Sequence, residues 1–394
     1  MRLINPLLIV SFICLSCAKV AEIDNSNINR NNSDYYVEQA INAYRSFFPE
    51  TKSQDRDVEK ITYIIENQDT LAVNIDFTNE DGFVFLKKSG VPLMIVSEGN
   101  LLEAREKVPA FDFTYKILLN RLSPGLPNPI DSSFTEIVYR PLSDTVVANV
   151  PPLIDVNMHQ LYPFNMFTPN AYAGCTPVAM AQAFSVFDHP DSISVTFNGS
   201  GINSTELSWT NMKSHLYSHS NSCVYCNQNG YLLREIGHRC SAKYNQEGTS
   251  AWPSLECFNS FGYTATNGNT YDGGRIVSSL ASGYPVVISG QNENTAHSWN
   301  IDGYYSRLSV FSVDTMRGTI VLEHNWTEHQ SRIYMHFNYG WGGYSNGYVM
   351  AYEGITEYYD DGTHYSYTPK TIFDNNYNIV TMLVTHIKLI ENET

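Results

Sequence analysis

The stretch that most constrains this chain is Gly174-Cys175-Thr176-Pro177 and the small-residue run behind it, Val178 to Phe187. A helix carrying Ala179, Ala181 and Ala183 has to pack tightly into the protein while its N-terminal end stays open at the preceding loop. Cys175 then sits among backbone N–H groups that lack intrahelical partners, at the positive end of the helix dipole. That setting favours thiolate over thiol. Pro177 in the first turn is no breaker, because its missing N–H would be unpaired there anyway. Gly174 leaves room for a substrate or another backbone to come close. On these residues alone a buried structural thiol and a nucleophile fit equally well.

The rest of the chain has to choose between them. Its 394 residues suffice for two domains with cores of their own. A formal net charge of −16 argues against nucleic acid as a main partner, since phosphate binding needs clustered Lys and Arg. Arg2 precedes the apolar run Leu3 to Leu15, which ends in Ser16-Cys17, so residues 1–17 read as an export signal. A cysteine directly after such a run resembles a bacterial lipoprotein signal, with Cys17 as the lipidated first residue, although Cys14 stands where an aliphatic residue is usual. The chain is therefore expected outside the cytosol, as a secreted or surface-anchored protein. Residues 18–33 read as a flexible tether, polar and rich in Asn.

Ser33 is a candidate cap for a helix from 34 to 47, with Val37, Ala40, Ile41, Tyr44 and Phe47 on one stripe. Strands are expected at 60–66, 70–77, 82–87 and 92–96, joined by turn residues, then a helix at 114–122. Residues of about 123 to 155 are rich in Pro, Ser and Asp and read as exposed and cleavable. Residues 34–145 thus form a small α+β domain with its linker, and 146–394 a second domain. In the latter, helices are expected at 231–238, 252–261 and 274–281, and strands at 284–289, 297–304, 333–339 and 347–352. Helices first and sheet afterwards point to an α+β fold.

A thiolate nucleophile needs an imidazole base, and the base needs an acceptor that orients it. His297 opens Ala296-His297-Ser298-Trp299-Asn300-Ile301-Asp302-Gly303, a strand that has to be half buried. Asn338 lies in His336-Phe337-Asn338-Tyr339-Gly340-Trp341-Gly342-Gly343, where an amide beside aromatic rings can hold an imidazole in one tautomer. Gln160 lies upstream of Cys175, and its amide can meet a developing oxyanion together with the Cys175 N–H. The order Cys, then His about 120 residues on, then Asn about 40 further, is that of papain-like proteases.

Four stretches together resemble the streptopain family of bacterial cysteine peptidases: Gly174 to Gln182, Ala296 to Tyr304, His336 to Gly343, and Gln160-Leu161-Tyr162-Pro163-Phe164-Asn165. Leu71 to Gly99 resembles that family's inhibitory propeptide. The resemblance implies a papain-like catalytic domain made as a zymogen, with protein or peptide substrates and its own prodomain as intramolecular inhibitor. It further implies Cys175, His297, Asn338 and Gln160 as catalytic residues, with Trp341, Gly174 and Tyr339 lining or supporting the groove, and no cofactor or metal. A monomer is expected. Met158 and Tyr339 stand where the family has Trp, and Thr176-Pro177 replaces a small apolar pair. The same thiol–imidazole pair also suits a transferase or amidase, and a binding protein could keep the fold without the chemistry.

One further cluster is His215, His219, Cys223 and Cys226, whose spacing suits a tetrahedral zinc. In an exported chain cysteines tend to pair, which favours disulfides or free thiols there. The pairing among Cys223, Cys226, Cys240 and Cys257 stays open.

Overall fold

A computed structural model describes residues 30–49, 56–66, 69–122, 136–169, 171–194, 196–197, 200–201, 204–217, 223–245, 248–291, 296–317, 320–367 and 380–390. The signal at 1–17, Cys17 and most of the tether lie outside these residues. The chain begins with α1 (Arg30–Phe47), whose apolar stripe lies on the meander β1 (Val58–Glu66), β2 (Asp69–Phe77), β3 (Phe83–Lys87) and β4 (Pro92–Val96). Helix α1 starts before Ser33, so Ser33 is not its cap. Arg30 to Asn32, with no Pro or Gly among them, continue the helix. Two helices follow, α2 (Leu101–Lys107) and α3 (Pro109–Leu122). Asn100 caps α2 through Glu103 N–H, while Asp76 on β2 accepts from Leu101 N–H at 2.9 Å.

After residues 123–135, which are not described, β5 (Glu136–Val150) runs as a long strand. The expected boundary at 145/146 therefore falls inside an element. The reason is a partner far away in sequence, which turns a polar, linker-like stretch into an edge strand.

Helix α4 (Cys175–Ser185) carries Cys175 at its first position. Short ladders then pair β6 (Ser192–Ile193) with β9 (Thr205–Glu206), and β7 (Thr196–Phe197) with β8 (Ser200–Gly201). Helices α5 (Trp209–Ser214) and α6 (Val224–Arg239) precede the ladder β10 (Lys243–Asn245) with β11 (Gly248–Ser250). Then come α7 (Leu255–Ser260), β12 (Tyr263–Gly268), α8 (Gly273–Ala281) and β13 (Val286–Gln291). The long hairpin β14 (Ala296–Arg317) and β15 (Ile320–Asn338) leads to β16 (Gly347–Tyr358), β17 (His364–Tyr367) and β18 (Val380–Leu389). The fold is α+β, as the order of helices and strands implied, and fits the papain-like domain that the family resemblance implied.

One sheet joins both halves, in the order β1-β2-β3-β4-β16-β15-β14-β13-β18-β12, with β5 beside β14 and β17 beside β16. The junction is β4 on β16, where Met94, Ile95 and Val96 pair with Val349, Tyr348 and Gly347. Strand β13 pairs with β14 up to Ile301, and β5 takes over the same edge from Tyr304. Ion pairs Arg140–Asp314 and Arg307–Asp144 tie β5 to that edge. Two cores lie against the sheet. One combines α1, the meander and Phe111 and Tyr115 of α3 with Trp299, Tyr334, Phe337 and Tyr339. The other surrounds α4, ten of whose residues are buried. Phe111, fully buried, contributes about 1.5–3 kcal/mol by leaving water.

Disulfides join Cys223 to Cys226 and Cys240 to Cys257, leaving Cys175 the free cysteine among the described residues. Among those residues no group of three or more potential ligands converges on a metal position, and His219 lies outside them. No helix among them is long and apolar enough to cross a membrane.

Candidate active site

Cys175 opens α4 after Gly174, whose φ of 101° belongs to the left-handed region that favours glycine. A Cβ on Gly174 would meet the Thr249 side chain of β11 at 2.9 Å, so the nucleophile turn and that strand touch directly. His297 lies one residue into β14, half-buried, opposite Gly290 of β13. Strand β15 pairs with β14 only from Asn300 onward. The end of β14 is thus open on that side, and the Ser298 N–H is directed at the Cys175 sulfur. The structure brings Cys175 and the His297 segment together.

The electrostatics of the pair run against the expectation from the helix dipole. Burial pushes the Cys175 thiol up, although the Ser298, Thr176 and Cys175 N–H groups and the Thr176 hydroxyl pull the other way. Burial also holds the His297 imidazole down at about 4. Desolvation thus works against the charged form of each group, the thiolate of Cys175 and the imidazolium of His297.

Asn338 takes a different place from the one expected. Its register partner on β14 is Asn300, three residues beyond His297, which is about 10 Å along a strand. Its carbonyl accepts from Gln182 Nε2 at 3.0 Å and from Gly340 N–H at 3.1 Å, and its amide donates to Val156 O at 3.4 Å. Among the described residues no hydrogen bond joins it to His297. Gln182, two turns into α4, is the hub that sequence reading missed. Its amide also donates to Asn300 Oδ1 at 2.9 Å, and its carbonyl accepts Met158 N–H at 3.1 Å. Asn300 in turn donates to Ala179 O at 3.0 Å. The signal was a glutamine inside an otherwise apolar helical run, a polar group that has to find partners when buried.

Gln160 is buried beside the nucleophile turn, where its main-chain carbonyl accepts Ala173 N–H at 2.8 Å. The segment before it interlocks with the Gly-Trp-Gly-Gly stretch. Gly342 N–H donates to Met158 O at 2.9 Å, and a Cβ on Gly343 would strike Asn157 at 2.7 Å. Trp341 meets His159 edge-on with centroids 5.1 Å apart, a second residue that sequence reading passed over. Met158 is buried in the core around α4, so the departure from Trp there is filled by packing rather than left as a void.

The N-terminal part of the chain meets this region on its Trp341 side. Glu98, Lys107 and Val108 share a cleft of about 320 Å³ with His159, Tyr217, Trp341 and Tyr344. Tyr344 donates to Glu103 at 2.8 Å, and Tyr339 hydroxyl to Thr114 at 3.3 Å. Tyr339 is fully enclosed between Phe111, Trp299 and Phe337, so it supports the seam rather than facing open solvent.

Residues 158–349 are matched by the family model of the Peptidase C10 family, the streptopain family. No curated protein matches the chain.

Proposed function

Because residues 158–349 match the model of the Peptidase C10 family, a family of cysteine peptidases, we propose that the chain is an exported cysteine endopeptidase made as an inactive precursor. The observation that carries this reading is the free Cys175 at the head of a buried helix, with the N–H next to His297 directed at its sulfur. In the proposed reaction the Cys175 proton passes to His297 and the sulfur bonds to the scissile carbonyl carbon. Gln160 and the Cys175 N–H meet the oxyanion. The C–N bond breaks as His297 returns the proton to the leaving amine. Water then adds to the thioester, again through His297, and releases the acid and the thiol. Asn338 acts through Gln182 and the strand register rather than by touching the imidazole. Trp341, beside His159, forms a wall of the groove.

The precursor reading is supported by the shared sheet and core and by Glu98 and Lys107 over the Trp341 cleft. Protein or peptide substrates follow from the family; lipid anchoring at Cys17 rests on the signal-like N-terminus alone. Mass spectrometry of the purified chain over time, beside Cys175→Ala, tests the whole reading. The wild type is expected to cut itself and then casein, with Cys175 labelled first by iodoacetamide. Full casein cleavage by Cys175→Ala would end it.

A further inference from the structure

Three buried hydroxyls form a chain across the seam between α4 and the sheet. Thr176 Oγ1 donates to Ala251 O at 2.8 Å and lies 2.9 Å from Ser298 Oγ, which lies 2.7 Å from Ser289 Oγ. The Thr176 hydroxyl thus meets the Ala251 carbonyl, the Cys175 sulfur and the Ser298 hydroxyl, and Ser298 links it to Ser289. All three residues are nearly inaccessible, at 1%, 4% and 0% exposure for Thr176, Ser298 and Ser289, so water does not compete for these bonds.

The placement is what gives the chain a consequence. Thr176 follows Cys175, and Ser298 follows His297. A bond between hydroxyls 122 positions apart therefore holds the neighbours of the two groups read above as the reacting pair. Ser298 contributes twice, because its N–H is also directed at the Cys175 sulfur. At the far end, Ala251 belongs to the segment just after β11, whose Thr249 packs on Gly174. One chain of bonds thus ties the nucleophile, the histidine strand and the strand walling the nucleophile turn. A valine at 176 would have nearly the same shape, so packing alone does not call for the hydroxyl.

We infer that Thr176, Ser298 and Ser289 are positioning residues that set the Cys175–His297 spacing and hold the β11 segment against it. This rests on the peptidase reading of Cys175 and His297. The test uses the full chain with Thr176→Val, Ser298→Ala, both together, and Thr176→Ser. The pH dependence of iodoacetamide alkylation at Cys175 is followed, and kcat and KM on a casein-derived peptide are measured once the chain has processed itself. Each single loss is expected to displace the alkylation profile and lower kcat by about 10- to 100-fold at nearly constant KM, the range for small displacements of reacting groups. The double variant is expected to be no worse than the poorer single, because one chain is broken only once. Thr176→Ser is expected to restore both readouts. An unmoved alkylation profile in both singles, or losses that multiply in the double, overturns the inference. Casein cleavage surviving in Cys175→Ala would sink the peptidase reading instead, and the alkylation arm would then judge the spacing alone.

Discussion

The two faces of the start of β14 are held in opposite ways. Ser298 and Asn300 point towards α4 and are fixed by directional bonds to Thr176, Gln182 and Ala179. Trp299 and Ile301 point the other way, into an apolar core shared with the first domain, where Phe113 and Tyr339 approach the indole. Hydrogen bonds define position to a few tenths of an ångström, which a reacting pair needs. Apolar contact is non-directional and only has to exclude water. The permanent contact is thus polar, and the contact proposed to be temporary is apolar.

Breaking the polar face at its hub should cost most. Gln182→Leu strands Met158 N–H and the Asn300 carbonyl, at about 1–3 kcal/mol for each buried group, and removes one of the two donors to the Asn338 carbonyl, at about 1 kcal/mol. Denaturant unfolding should show a loss of at least about 3 kcal/mol; an unchanged midpoint would mean these bonds do not hold the seam. Phe111→Ala attacks the apolar face instead, at about 3–5 kcal/mol for a fully buried ring. Its signature should differ: faster self-processing, with peptide turnover after processing unchanged. Equal damage to turnover would erase the distinction between the faces.

Acid should act on the same region more gently. The His297 imidazole is held down at about 4 by burial, while an unfolded histidine keeps the ordinary 6.5. Between these values the unfolded chain binds the extra proton, so stability is lost as pH falls from about 6.5 towards 4. The difference in stability between wild type and His297→Gln should narrow across that window, and a flat difference would show that the imidazole is not desolvated. The smallest effect is expected at the Lys87–Glu353 ion pair, which bridges β3 and β16. Burial works to raise the Glu353 carboxyl, but Lys87 and Arg332 outweigh it and hold it below its usual value. Because Arg332 remains, Lys87→Gln should cost about 1 kcal/mol or less, readable as a small shift of the thermal midpoint.

Much of this arrangement was legible in the residues. The meander 58–96 was, because alternating apolar residues between turn residues leave few other structures. Helix α4 and His297 were, because a cysteine before a small-residue helix and a half-buried histidine carry local signals. Strand β5 was not: its side chains are mostly exposed, and only pairing with β14, more than 150 positions away, orders it. The role given to Asn338 was not either, since a shift of three residues in the β14–β15 register decides whether it meets His297 or Asn300.

By itself, then, the sequence determined the local elements, the candidate thiol and imidazole, and the family resemblance they carry, since those depend on residue type and short-range spacing. The tertiary structure decided which polar groups meet. Thr176 reaching Ser298, Gln182 reaching Asn338, and one sheet running through both halves all join positions far apart in the chain. Such contacts follow from strand register and helix docking, which no short stretch of residues encodes alone.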